Sequence, residues 1–131
     1  MTSYATDKRR VEGAGSAHHG AGTWIKERVS ALILVPLTGW GFWAASSLSG
    51  GHFEGTQRWL HSPVNAGLLA VTLLISVYHM RLGLRVVIED YVHKPVGRGA
   101  LLFLNTIFCL ALAVIAIASI IMVALQGGAG A

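Results

Sequence analysis

Tyr78-His79-Met80-Arg81-Leu82-Gly83-Leu84-Arg85-Val86-Val87-Ile88-Glu89-Asp90-Tyr91-Val92-His93-Lys94-Pro95 begins inside an apolar run, gathers charge as it proceeds, and ends at a proline. Read as a helix at 100° per residue, it places His79 and Gly83 on one face and returns Asp90 to within about 20° of His79. The histidine lies at membrane depth and the Asp90-Tyr91 pair near the surface, roughly 16 Å apart along the axis. That order suits a buried cofactor ligand with a wet, proton-handling site beyond it. Arg81, Arg85 and Glu89 follow at four-residue steps on another face, where Arg85 and Glu89 are placed to pair and the arginines to snorkel.

The rest of the chain fits a membrane setting. Of its 131 residues, 53% are hydrophobic and 12% charged, which excludes an ordinary soluble domain. Val29 to Phe53, Ser62 to Met80, and Gly99 to the end carry no Asp, Glu, Lys or Arg. Each reaches the roughly 17–25 residues that cross a bilayer. None alternates as the strands of a barrel must. The sequence therefore predicts an all-α integral membrane protein with three spanning helices, at about 24–48, 63–91 and 98–126. Residues 1–22 are expected to be a flexible cytoplasmic arm and 23–131 the membrane domain.

The net charge of +4 would suggest nucleic acid in a soluble protein, but here the cations flank the spans, so no nucleic-acid partner is expected. Lys8, Arg9, Arg10, Lys26 and Arg28 precede the first span, and Arg81, Arg85, Lys94 and Arg98 separate the second from the third. The other connection holds only Arg58. The positive-inside rule then puts the N-terminus in the cytoplasm and the C-terminus in the periplasm. No cleavable signal is expected, because the first apolar run starts late and is long. Cys109, the single cysteine, reads as a small packing residue.

Local signals add detail. Thr23 is the expected cap of the first helix, Pro36 lies inside it, and Gly39 and Gly41 permit close helix approach. Ser62 and Pro63 open the second helix as cap and first residue. Glu54 to Leu60 reads as a short interfacial segment, and Trp40, Trp43 and Trp59 as part of an aromatic belt. The third span carries Asn105, Thr106, Cys109 and Ser119 as its polar residues, with Asn105 placed either to bond across to another helix or simply to pack. His18-His19 has no cysteine or carboxylate at ligand spacing, so the pair is expected to ride on the arm.

The pattern His79-x3-Gly83…Asp90-Tyr91-Val92-x-Lys94-Pro95 resembles the hydrophobic anchor subunits of succinate dehydrogenase, complex II, in particular the smaller, cytochrome b-type anchor. The resemblance implies that His79 is an axial ligand to the iron of a haem b shared with a second anchor subunit. It implies that Tyr91 donates a hydrogen bond to ubiquinone, with Asp90 supporting the site. Arg28, just before Val29-Ser30-Ala31, would face a haem propionate; headgroup contact and topology are the rival role. His93 departs from the invariant core, as a proton relay or simply an exposed residue. Expected partners are a flavoprotein, an iron–sulfur protein, the second anchor and the lipid bilayer, in heterotetramers open to further assembly.

The functional expectation is thus a membrane anchor of a succinate–ubiquinone oxidoreductase, in a bacterial inner membrane ahead of a mitochondrial one. Independently of the resemblance, an ionisable residue inside a span points to function. Neutral imidazole ligates iron, and a glycine one turn away leaves room for a flat macrocycle. The alternative is a redox-inactive structural anchor or assembly factor. A transporter is disfavoured because no internal repeat is visible.

The charge asymmetry predicts that single cysteines at Gly51 and Gly97, introduced after replacing Cys109 by Ala, label from opposite membrane faces. Labelling of both from one side contradicts the three-span topology.

Overall fold

The structure, a computed structural model, describes residues 17–51 and 53–126, without the side chains of 17–20. Among the described residues it is all helical: α1 (Ala17–Leu48), α2 (Phe53–Leu60), α3 (Pro63–Tyr91) and α4 (Pro95–Gln126). Ala21–Leu48, Pro63–Tyr91 and Pro95–Gln126 are each long and apolar enough to cross a membrane. At about 1.5 Å per residue they exceed the roughly 30 Å hydrocarbon layer, so their ends project into the interfaces.

Helix ends follow local chemistry, with two departures from expectation. Helix α1 already runs from Ala17, so Thr23 lies inside it rather than capping it. The Gly- and Ala-rich stretch before Thr23, read as part of a flexible arm, is helical from Ala17, since nothing in it forbids helical backbone. The expected arm otherwise falls on residues 1–16, and the His18-His19 side chains also fall outside the described residues. The second departure is at Pro95. It opens α4, with the Lys94 carbonyl accepting from Arg98 N–H at 2.9 Å, where the sequence reading placed the helix start at 98. Proline at the first helical position lacks only an amide that would be unpaired anyway.

Between them, α3 stops at Tyr91, with the Val92 N–H bonding the Ile88 carbonyl at 3.0 Å. Ser62 occupies the cap position of α3 with extended backbone and no side-chain cap bond. Its carbonyl accepts from Ala66 N–H at 3.0 Å, and Pro63 follows as expected. The expected interfacial segment is α2, tied to α3 by Asn65 Nδ2 donating to the Trp59 carbonyl at 3.1 Å. Trp40 of α1 and Trp59 of α2 stack at 5.8 Å.

Helix α3 is central. Both α1 and α4 pack on it, and α2 touches α3 and α4. The buried set is dominated by small and polar side chains at these seams: Ser30, Ala44, Asn105 and Cys109, with Leu60, Leu82 and Ile120. Large apolar side chains such as Leu32, Phe42, Val87, Phe103 and Met122 are exposed. This inverts a water-soluble core. Lipid competes equally for apolar surface, so helices associate through close packing and interhelical hydrogen bonds instead. Gly39 and Gly41 do not mediate close approach within this chain, since an added Cβ would meet nothing within 4 Å at either.

The α3–α4 seam is fixed by Asn105, whose Nδ2 donates to the Arg81 carbonyl at 3.1 Å. Its Oδ1 accepts from Cys109 Sγ at 3.5 Å, so Cys109 packs and bonds along its own helix. Replacing Asn105 by Leu keeps the volume close and deletes the interhelical bond. The expected cost is about 0.6–1.7 kcal/mol, the range for such bonds in a membrane bundle. Denaturation of helical structure by ionic detergent checks it; an unchanged transition would show that the seam holds by apolar packing alone.

Candidate functional site

His79 sits on α3 at the seam with α1, half-buried. Its Nδ1 lies 3.0 Å from Oγ of Ser30, a residue only 4% exposed. The same hydroxyl donates to the Glu27 carbonyl at 2.9 Å, one turn back along α1. A hydroxyl has one proton. With that proton on the Glu27 carbonyl, the 3.0 Å contact is satisfied by Nδ1–H of His79 donating to Ser30 Oγ. The neutral ring then carries a bare lone pair on Nε2, which is the arrangement an imidazole needs to ligate a metal while its other nitrogen is anchored.

Sequence reasoning missed Ser30, treating it only as part of a short step after Arg28. A partner 49 positions away in the chain leaves no local trace. The available signal was a hydroxyl at the start of an apolar run, which must bond somewhere when buried.

Gly83, one turn along the His79 face, is open: an added Cβ would meet nothing within 4 Å. A flat ligand against this face therefore meets no side chain from Gly83. The chemistry of His79 and the space at Gly83 both fit a haem with one axial ligand from this chain. Among the described residues no group of three or more His, Cys, Asp or Glu is arranged to hold a metal ion by itself. One imidazole is all that an axial haem ligand requires of one chain.

Asp90 and Tyr91 occupy the last turn of α3 and both are exposed, Tyr91 to 80%. Both lie on an open face of the described residues. His93, also exposed, lies in the short link between α3 and α4. Arg28 is exposed on α1, with its guanidinium 5.6 Å from the centre of the Trp24 ring. That stacking holds the cation near the α1 side of the bundle without using its hydrogen-bond donors. Arg85 and Glu89 pair at 2.8 Å, as the four-residue spacing predicts, and the exposed pair contributes little stability.

Fold and site together define a small, multi-pass helical membrane protein. Residues 2–125 match the family described as succinate dehydrogenase/fumarate reductase transmembrane subunit. Similar curated proteins bear the name succinate dehydrogenase hydrophobic membrane anchor subunit. That of Rickettsia conorii is 32% identical over 102 residues, covering 77% of this chain and 81% of the relative. That of Rickettsia felis is 32% identical over 101 residues, covering 77% and 80%. That of Paracoccus denitrificans is 28% identical over 100 residues, covering 76% and 78%. No solved structure matches. The chain belongs to the succinate dehydrogenase/fumarate reductase transmembrane subunit family, as its second-helix motif leads one to expect. Its three apolar helices and bacterial relatives make it a multi-pass protein of a bacterial inner membrane.

The proton assignment at Ser30 predicts that His79 rests as the Nδ1–H tautomer. Imidazole ¹⁵N shifts in the isolated chain, with histidine labelled, should show it, and Ser30→Ala should release the ring to the Nε2–H form favoured in water. A ring already Nε2–H in the unsubstituted chain would overturn the assignment.

Proposed function

We propose that this chain is a membrane-anchor subunit of a succinate–ubiquinone oxidoreductase, contributing one axial ligand to a shared haem b and part of the quinone-reduction site. The observation that carries the proposal is the Ser30–His79 hydrogen bond, which presents one nitrogen of a deep histidine as a free lone pair. In this reading a flavoprotein subunit oxidises succinate, an iron–sulfur subunit passes the electrons on, and a second anchor supplies the other haem ligand. The names of the relatives support the assignment to succinate dehydrogenase. The haem, when bound, would supply a one-electron store.

The chain's own residues do the remaining work. His79 would hold the iron through Nε2 while Ser30 fixes the ring. Arg28, permanently charged and planar, is the candidate partner for a propionate. Tyr91 donates its phenolic hydrogen to a quinone carbonyl, which would otherwise sit unsatisfied in an apolar enclosure. Asp90 keeps the local surface polar, so that water delivers the two protons that quinone reduction consumes. The exposure of Tyr91 and Asp90 is consistent with this division of labour, because their enclosure would come from partner subunits.

His79→Ala in the assembled complex should abolish or strongly perturb the low-spin haem spectrum. An unaltered spectrum in the intact variant complex removes His79 from the site, and an unsubstituted complex that purifies intact without haem would favour a redox-inactive anchor.

Tyr91→Phe deletes one donor and keeps the ring. Loss of one net hydrogen bond, about 0.5–1.5 kcal/mol, corresponds to roughly two- to twelve-fold weaker quinone binding. Succinate oxidation with a soluble dye that accepts electrons upstream should be unaffected. Equal loss of both activities would instead assign Tyr91 to assembly.

A further inference from the structure

A separate feature lies beside the Ser30–His79 contact, about a third of a turn round α3 from His79. Where α1, α3 and α4 meet near the α3–α4 turn, a cavity of about 270 Å³ is lined by Lys26, Arg81 and Arg85, together with Tyr78, Asn105 and Thr106. Three cations converge on it, and among the described residues no carboxylate lines it. Arg85 is already paired to Glu89 at 2.8 Å, so Lys26 and Arg81 carry most of its uncompensated charge. Arg81 is held in place by its Nη2 donating to Thr106 Oγ1 at 3.3 Å.

The cavity does not end there. Tyr78, Arg81 and Thr106 also line a second hollow of about 220 Å³, which continues along the α3–α4 seam past Val77 and Leu110. Leu74 and Ala113 in turn join that hollow to a third, of about 410 Å³, which extends to Ile117 and Ile121 with wholly apolar walls. The three form one track, cationic at the membrane face and apolar below. From Thr106 to Ile121 it runs roughly 22 Å along α4, enough to cross the ~15 Å hydrocarbon depth of one leaflet.

We propose that this track is a binding site for an anionic phospholipid, with its phosphate between Lys26 and Arg81 and one acyl chain along the α3–α4 seam. Charge selects the headgroup: basic pockets between transmembrane helices attract anionic headgroups, at a gain that grows with each Lys or Arg near the surface. The apolar continuation selects a lipid over a free phosphate. A seated chain would also lie along the α3–α4 seam beside Cys109. This site is independent of the haem and quinone assignments.

The test is photo-crosslinking of the assembled complex in nanodiscs, using phosphatidylglycerol with a diazirine on one acyl chain at sub-saturating amounts. Adducts are mapped by peptide mass. Label is expected on α4 around Leu110 to Ile117 and on α3 around Leu74. Phosphatidylcholine bearing the same acyl probe should label there much less, a comparison that needs no substitution. Lys26→Gln or Arg81→Gln should each reduce the label about five-fold and the pair about thirty-fold, while Arg58→Gln, remote from the track, leaves it intact. Equal labelling by the two lipids would overturn the proposal, as would label unchanged in the double variant. Displacement by inorganic phosphate would mean that the groove adds nothing, and displacement by excess ubiquinone alone would reassign the track to a quinone tail; either outcome overturns it.

Discussion

The contact between Ser30 and His79 is the constraint on which the site depends. It ties α1 to α3 through a buried hydroxyl, and it decides which nitrogen of the imidazole is free. Both ends are demanding. A buried hydroxyl left without partners costs on the order of 1–3 kcal/mol, and a histidine at membrane depth is tolerated only with a partner. Ser30 meets both demands at once, because its one proton goes to the Glu27 carbonyl and its lone pair to the ring. A residue larger than threonine at 30 would also push α1 away from α3, since small side chains let membrane helices approach.

The same logic governs the other face of α3. Asn105 spends its amide on the Arg81 carbonyl and accepts from Cys109, so the α3–α4 seam is held by a polar bond rather than by apolar volume. Each side of the central helix therefore carries polar bonds to its neighbour: Ser30–His79 on one, Asn105–Arg81 and Arg81–Thr106 on the other. The large apolar side chains point outward, to lipid or to partner subunits. Such a bundle supplies positions more than enclosure, which is why Asp90 and Tyr91 remain open within the chain.

Much of this was legible from sequence because membrane spans announce themselves by length and charge exclusion. Pro63 marked the start of α3, the spacing of Arg85 and Glu89 gave their pairing, and Asn105 stood out as the one strong hydrogen-bonding side chain deep in an apolar run. The failures were local ambiguities and long-range contacts. Pro95 fits the end of one helix and the start of the next equally well, and only the three-dimensional turn decides for the latter. Thr23 has the side chain of a cap, but α1 starts at Ala17 and runs through it. Ser30 could not be paired with His79, nor Lys26 with Arg81 in one cavity, because both depend on how α1 crosses α3.

The most direct test of the account is the midpoint potential of the proposed haem in the complex, measured by redox titration for the unsubstituted chain and for Ser30→Ala and Ser30→Thr. Donation from Nδ1–H to Ser30 makes the ligand more basic and stabilises the oxidised iron. Removing the acceptor in Ser30→Ala should raise the potential, with a changed low-spin resonance signature, while Ser30→Thr, which keeps the hydroxyl, should stay near the original value. A potential and signature identical in all three would contradict the account, because His79 would then be oriented by something other than Ser30, or would not be the ligand.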